Sequence, residues 1–146
     1  MTTPRGNFSF PVLIERDGDC LVLSFRDVPE ALGQISATEE SNLSTEAAGA
    51  LMIALRYYFK NGQTIPEGSK PRTGEKLIDL PLSFVAKIIL HNTMIRNNVR
   101  PADLARLLSV PTSEVARITN PTYKTKIDTM AAAVSASGGR MRLVTP

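Results

Sequence analysis

A breaker stretch sits at the middle of this 146-residue chain. Pro66-Glu67-Gly68-Ser69-Lys70-Pro71-Arg72-Thr73-Gly74 carries two prolines and two glycines. Proline removes a backbone donor and glycine raises the entropic cost of ordering, so neither a helix nor a central strand is expected to run through it. The stretch reads as a linker or exposed loop. The chain then divides into a first domain at 1–66, a linker at 67–79 and a second domain at 80–146. Halves of about 70 residues are marginal alone and gain from packing together or from oligomerising.

The two parts differ in apolar period. Phe8 to Arg16 is apolar and β-branched, with Pro11 tolerable only on an edge or near the strand's start. Asp17-Gly18-Asp19 is a turn signal, and Cys20 to Phe25 reads as the second arm of a β-hairpin. A short third strand is expected around Gly33-Gln34-Ile35-Ser36. Leu43, Ala47, Ala50, Leu51, Ala54, Leu55, Tyr58 and Phe59 then recur at steps of three and four, one face of a helix. Ser36, Thr38, Ser41 and Ser44 are its candidate N-caps, and Asn61-Gly62 its stop.

After Pro81 the pattern is helical throughout. Phe84, Val85, Ile88, Ile89, Met94 and Ile95 mark a first helix. A second runs from Pro101 to Leu108, a third from Thr112 to Thr119 and a fourth from Lys126 to Ala136. The tail Arg140-Met141-Arg142-Leu143-Val144 alternates like a strand. Ser109-Val110-Pro111 is a three-residue turn, which gives residues 103–118 the form of a helix-turn-helix. Leu104, Leu108, Val110, Val115 and Ile118 supply its apolar contacts, and the small Ala105 lets the helices approach. Thr112, Ser113, Ala116 and Arg117 are left on the outer face of the second helix, placed to enter a major groove. Arg117 is the sharpest candidate for reading a base, since a guanidinium can bond both acceptors on a guanine edge. Lys124, Thr125 and Lys126 are placed for phosphate, beside the start of the last helix.

Charge supports that division. Residues 1–76 hold eight Lys/Arg against ten Asp/Glu; residues 77–146 hold nine against four. An acidic part followed by a basic one points to a polyanion as partner of the second. The composition, 42% apolar and 21% charged, is that of a globular chain. One cysteine excludes an internal disulfide, and one histidine excludes a site needing two imidazoles. No apolar run is long enough to span a bilayer and no signal-peptide core opens the chain, so a cytoplasmic protein with no membrane association is expected.

These residues together resemble the HicB antitoxins. The resemblance rests on Phe10-Pro11-Val12 opening a hairpin, Asp27-Val28-Pro29-Glu30-Ala31-Leu32 after it, and Tyr57-Tyr58-Phe59-Lys60-Asn61 with Ile65-Pro66. It continues through Leu80-Pro81-Leu82-Ser83, the helix-turn-helix and Thr125-Lys126-Ile127-Asp128, covering about residues 8–144. It implies an α+β protein: a partial RNase H-like domain of a small antiparallel sheet plus helix, then an all-α DNA-binding domain of the Cro/repressor type. It implies a HicA-like mRNA interferase toxin as protein partner, operator DNA as second partner, and a homodimer or tetramer. Two positions depart from the family pattern. Ser109 stands where the turn usually has glycine, and Pro101 where the first motif helix usually begins with glutamine, so Arg100 is the expected substitute for a phosphate contact. No toxin-contacting residue is assigned.

An RNase H-like fold also invites a nuclease reading, which needs several carboxylates converging on two metal ions. The acids available are Glu15, Asp17, Asp19, Asp27 and Glu30. Asp17 and Asp19 flank a turn glycine, where such residues serve turn geometry. The expectation is a binding module with no catalytic residue, no metal and no cofactor. His91 reads as a packed or surface histidine, and Cys20 as a small core residue. A second reading is a stand-alone helix-turn-helix regulator whose first domain binds a ligand or another protein.

Overall fold

The computed structural model describes residues 8–145. They form a mixed α/β protein with a small four-stranded antiparallel sheet and five α-helices, gathered into two compact units. One unit takes the residues up to Tyr58 together with Pro66–Leu80. The other takes Phe59–Ile65 together with the residues from Pro81 onward.

In the first unit, β1 (Ser9–Asp17) and β2 (Cys20–Ser24) make the expected hairpin, with Asp17 opposite Cys20 across the Gly18-Asp19 turn. Gly18 holds φ +61°, the left-handed conformation that favours glycine in such a turn. β3 (Leu32–Ser36) pairs with β2, in the register Cys20 opposite Ser36. A 3₁₀ turn (Ala37–Asn42), capped by the Ser36 hydroxyl, leads into α1 (Leu43–Lys60). Leu43, Ala47, Leu51, Ala54 and Leu55 of α1 are buried with Phe10, Val12, Leu23 and Ile35 of the sheet. Gly33 brings strand and helix close: a Cβ there would lie 3.3 Å from Leu23 Cδ1 and 3.4 Å from Ala50 Cβ.

The segment expected as linker, 67–79, is not one throughout. Glu75–Asp79 is a strand, β4, and it completes the sheet in the order β3-β2-β1-β4. Phe10 lies opposite Ile78, and Leu13 opposite Glu75. Ile78 turns to the core and is 3% exposed, which gives β4 its anchoring side chain. Pro11 therefore sits in an inner strand but near its start, the second of the two positions expected to tolerate it. The β2 ladder begins at Leu13, so at Pro11 the strand is paired on the β4 side alone and the missing N–H concerns one neighbour at most. The rest of the stretch is tied down: Asp27 accepts from the Ser69 N–H at 2.8 Å and from its hydroxyl, and Arg26 pairs with Glu75 at 3.0 Å.

The second unit is built from α2 (Leu82–Arg96), α3 (Pro101–Leu108), α4 (Thr112–Thr119) and α5 (Ile127–Ala136). Ala86, Leu90, Met94, Leu104, Ala105, Val115, Ile118, Met130, Ala133 and Val134 form its core. The tail 141–145 adopts no regular structure, so the expected terminal strand is not formed within the chain. Alternation makes a strand only where a partner edge is present.

Candidate nucleic-acid interface

α3 begins with Pro101 at its first position, where a missing N–H costs nothing. The Arg100 N–H donates to the Asp103 carboxylate at 3.0 Å, closing the start of the helix. Asp103 also pairs with the Arg100 and Arg106 side chains. The Arg100 N–H, and next the Arg106 guanidinium, hold its carboxyl below the usual range.

α3 ends at Ser109, which adopts φ 55°, ψ 45°. The Ser109 N–H donates to Arg106 O at 3.2 Å and the Val110 N–H to Ala105 O at 3.0 Å, the paired bonds of a Schellman cap. Pro111 follows, extended, and its carbonyl accepts from Glu114 at 3.0 Å to start α4. This short, closed turn sets α3 and α4 against one another with Leu104, Ala105, Val115 and Ile118 buried between them and the rest of the core. A shallow, largely apolar hollow lined by Ala105, Arg106, Ser109 and Val110 lies beside the turn.

Thr112, Ser113, Ala116 and Arg117 are all exposed on the opposite face of α4. Lys124 and Lys126 are exposed, and Thr125 between them is half-buried. Arg117, Lys124 and Lys126 have no carboxylate partner among the described residues. Arg100 is exposed too, but its guanidinium is shared with Asp103 and no contact joins it to the α4 residues.

One residue links two of these groups, and sequence reasoning passed over it. Lys87 of α2 is buried, and its Nζ donates to Arg117 O at 3.0 Å, Ile118 O at 2.7 Å and Thr125 Oγ1 at 2.7 Å. Burial pushes its pKa down to about 8. The signal was available: Lys87 stands three residues from Phe84 and three from Leu90, both core residues, so a charge occupies an apolar step of the helix.

The acids considered for metal chemistry are placed otherwise. Asp17 and Asp19 are exposed at the hairpin turn, Asp27 is held by Ser69, and Glu30 accepts from the Tyr58 hydroxyl at 2.8 Å. That bond follows burial as a cause lifting the Tyr58 pKa to about 12. No three His, Cys, Asp or Glu side chains come together for a metal among the described residues. His91 packs its ring 4.8 Å from that of Phe59 and donates from Nε2 to Gln63 O at 2.7 Å. Burial pulls its pKa below the usual imidazole value, against that bond. Cys20 is half-buried at the start of β2. No helix is long and apolar enough to cross a membrane among the described residues.

The chain is thus a small antiparallel sheet with one helix, followed by a four-helix unit that exposes Arg117, Lys124 and Lys126, and its relatives place it among the antitoxins of bacterial toxin–antitoxin systems. The model of the HicB-like antitoxin of bacterial toxin–antitoxin systems matches residues 7–89, and the chain belongs to that family. It is 38% identical over 138 residues to antitoxin HicB 2 of Photorhabdus laumondii, covering 94% of this chain and 96% of that protein. It is 34% identical over 139 residues to antitoxin HicB 1 of the same organism, covering 94% and 86%. It is 33% identical over 123 residues to antitoxin HicB of Escherichia coli K12, covering 84% and 88%.

Proposed function

We propose that this protein neutralises a HicA-like mRNA interferase by stoichiometric binding, and represses its own operon by binding operator DNA through a Cro/repressor-type helix-turn-helix. Family membership supports the antitoxin half. The observation that carries the DNA half is the exposed face of α4: Thr112, Ser113, Ala116 and Arg117 face outward, and Arg117 has no carboxylate partner among the described residues. α4 is the recognition helix, Arg117 its base-reading residue, and Lys124 and Lys126 its phosphate contacts. Arg100 is a weaker candidate, since a bound phosphate must compete with Asp103.

The first unit, read as a partial RNase H-like domain, covers the toxin's active site without catalysing a reaction. Its acidic balance suits a basic, RNA-binding partner and acts mainly on the rate of encounter. The protein works as a homodimer or tetramer, with Arg140 to Val144 pairing between copies. Leu143 is 84% exposed and Val144 68%, apolar surface that a second copy would cover. A two-fold pair of recognition helices about 34 Å apart would read a palindromic site.

Mobility shift with the promoter region upstream of its own gene tests the DNA half. Affinity is expected to fall steeply between 50 and 200 mM salt. Arg117→Ala is expected to cost about 1–3 kcal/mol on the specific site. Binding indifferent to both would remove the reading. Co-expression with the small neighbouring reading frame tests the antitoxin half: that frame should arrest growth alone, and this protein should restore it.

A further inference from the structure

Lys87 is 2% exposed, and no carboxylate pairs with it among the described residues. A buried charge without a counter-ion is costly unless every proton finds an acceptor. In this fold each does. Two acceptors are the Arg117 and Ile118 carbonyls in the last turn of α4, the negative end of that helix. The third is the Thr125 hydroxyl oxygen. Burial brings the pKa down to about 8, so near neutral pH the side chain keeps the three protons that three acceptors require. A neutral amine has two.

An apolar side chain of the same length would fill this space without the cost of a buried charge. What the lysine adds is a tie among three segments: α2, the end of α4, and the turn that carries Lys124 and Lys126. The tie grips Arg117 by its own carbonyl, so the root of that exposed side chain is fixed while its guanidinium stays free. It also uses a lone pair of Thr125 Oγ1, which leaves the Thr125 hydrogen to be donated elsewhere. The residues on either side of Thr125 are exposed lysines.

We propose that Lys87 is a positioning residue for nucleic-acid binding: it holds Arg117 in register on α4 and turns the Thr125 hydroxyl outward as a donor to a backbone phosphate seated between Lys124 and Lys126. The proposal rests on the DNA-binding reading above and assigns a role to a residue that never touches the nucleic acid. Thr125 thereby acts as a directed donor, set by the ammonium behind it.

The test is a mobility-shift series on the promoter duplex from upstream of the protein's own gene, using the full chain. Wild type, Lys87→Met, Arg117→Ala and the double variant form a cycle. Lys87→Met is expected to keep the helical circular-dichroism spectrum and to bind about tenfold more weakly. Arg117→Ala should cost clearly less in the Lys87→Met background than in wild type, because the guanidinium is already out of register. A role confined to stability would leave the two losses additive. Thr125→Ser should bind as wild type and Thr125→Val more weakly. Undiminished binding by Lys87→Met, or additive losses, overturns the proposal. If Lys87→Met does not fold, the Thr125 pair decides: equal binding by Thr125→Val and Thr125→Ser overturns it. Wild type that shows no specific binding, with Arg117→Ala no different, removes the DNA reading and this proposal together. Specific wild-type binding with an unaltered Lys87→Met removes this proposal alone.

Discussion

The two units are held by contacts of different reach. In the sheet unit the decisive ones are distant in sequence: Ser9 meets Asp79 across 70 positions, Arg26 meets Glu75 across 49, and Ser69 donates to Asp27 across 42. The sheet is not complete until residue 79 has joined β1. In the helical unit, α3 packs on α4 across the turn at 109–111, and the caps are closed by neighbours. Its ties distant in sequence are the apolar packing of α2 on α5, with Leu90 and Met94 in one core with Met130 and Val134, and polar bonds that span at most 40 positions: Lys87 to the α4 end, Asn92 to both backbone groups of Ile65 at 2.9 Å, and Asn97 to Ser137 O at 2.8 Å. Loop closure must precede the reward of a distant pair, so the sheet unit is expected to form later and to open as a block.

The largest effects test that block character. Phe10 is fully buried and its strand pairs with β4. Phe10→Ala is expected to cost about 3–5 kcal/mol in denaturant unfolding. Native-state amide exchange should show β1, β2 and β4 losing protection together. If β4 alone exchanges faster, it is an appendage and the contrast between the units fails. Next comes a pair of glycines, one from each unit. A Cβ at Gly68 would lie 1.7 Å from the Ser9 carbonyl oxygen, and one at Gly139 would lie 2.7 Å from Thr93 Cγ2. Backbone cannot yield as a side chain can. Gly68→Ala should cost about 3 kcal/mol and Gly139→Ala about 1 kcal/mol, compared by urea midpoints.

The same contrast explains what could be read from the residues alone. α3 and α4 run from Pro101 to Leu108 and from Thr112 to Thr119 because Pro101, Pro111 and Asn120-Pro121 punctuate the chain locally, and those bounds are legible without a structure. β4 was hidden because a single core residue, Ile78, marks it, and its partner Phe10 lies far back in the sequence. The alternation at 140–144 looked like a better strand than β4 and forms none within the chain. Pairing, which period does not encode, decided both. At the interface the exposed residues of α4 follow from helical spacing. Lys87 was hidden because a charged residue is read as solvated unless its partners are known, and its partners are backbone carbonyls.

Acid and base should act on the units differently. In the sheet unit the Glu75 carboxyl is held below its usual range by the Arg26 guanidinium and then by the Arg72 N–H. A lowered carboxylate pKa means stability present above the unfolded value and lost as pH falls through the folded one. In the helical unit Lys87 works in the opposite range. Its folded pKa of about 8 lies below the unfolded 10.5, so between these values the unfolded chain binds the extra proton and Lys87's contribution to stability rises with pH. In thermal melts, wild type should therefore gain on Lys87→Met from pH 8 upward. Glu75→Gln should flatten the acid limb. If wild type instead loses ground to Lys87→Met above pH 8, the ammonium stabilises the fold and the lowered pKa of Lys87 is wrong in sign.

The smallest effect concerns how the helical unit ends its helices. α2, α3 and α5 close with the same pair of bonds, and the left-handed residue is Asn98 at φ 53°, Ser109 at φ 55° and Gly138 at φ 92°. Glycine takes this conformation freely, asparagine tolerates it, and serine bears a steric cost of about 1–2 kcal/mol. Glycine also gives the unfolded chain more freedom, which offsets about 0.4–1 kcal/mol of any gain. Ser109→Gly should therefore stabilise by about 0.5 kcal/mol, some 2–4 °C in melting temperature. Asn98→Gly should give less. The Val110 N–H bond to Ala105 O already fixes the turn, so α3 and α4 keep their geometry and operator affinity should not change. A loss of affinity in Ser109→Gly with its stability gained would mean that the serine side chain, exposed beside the start of α4, is itself part of the interface.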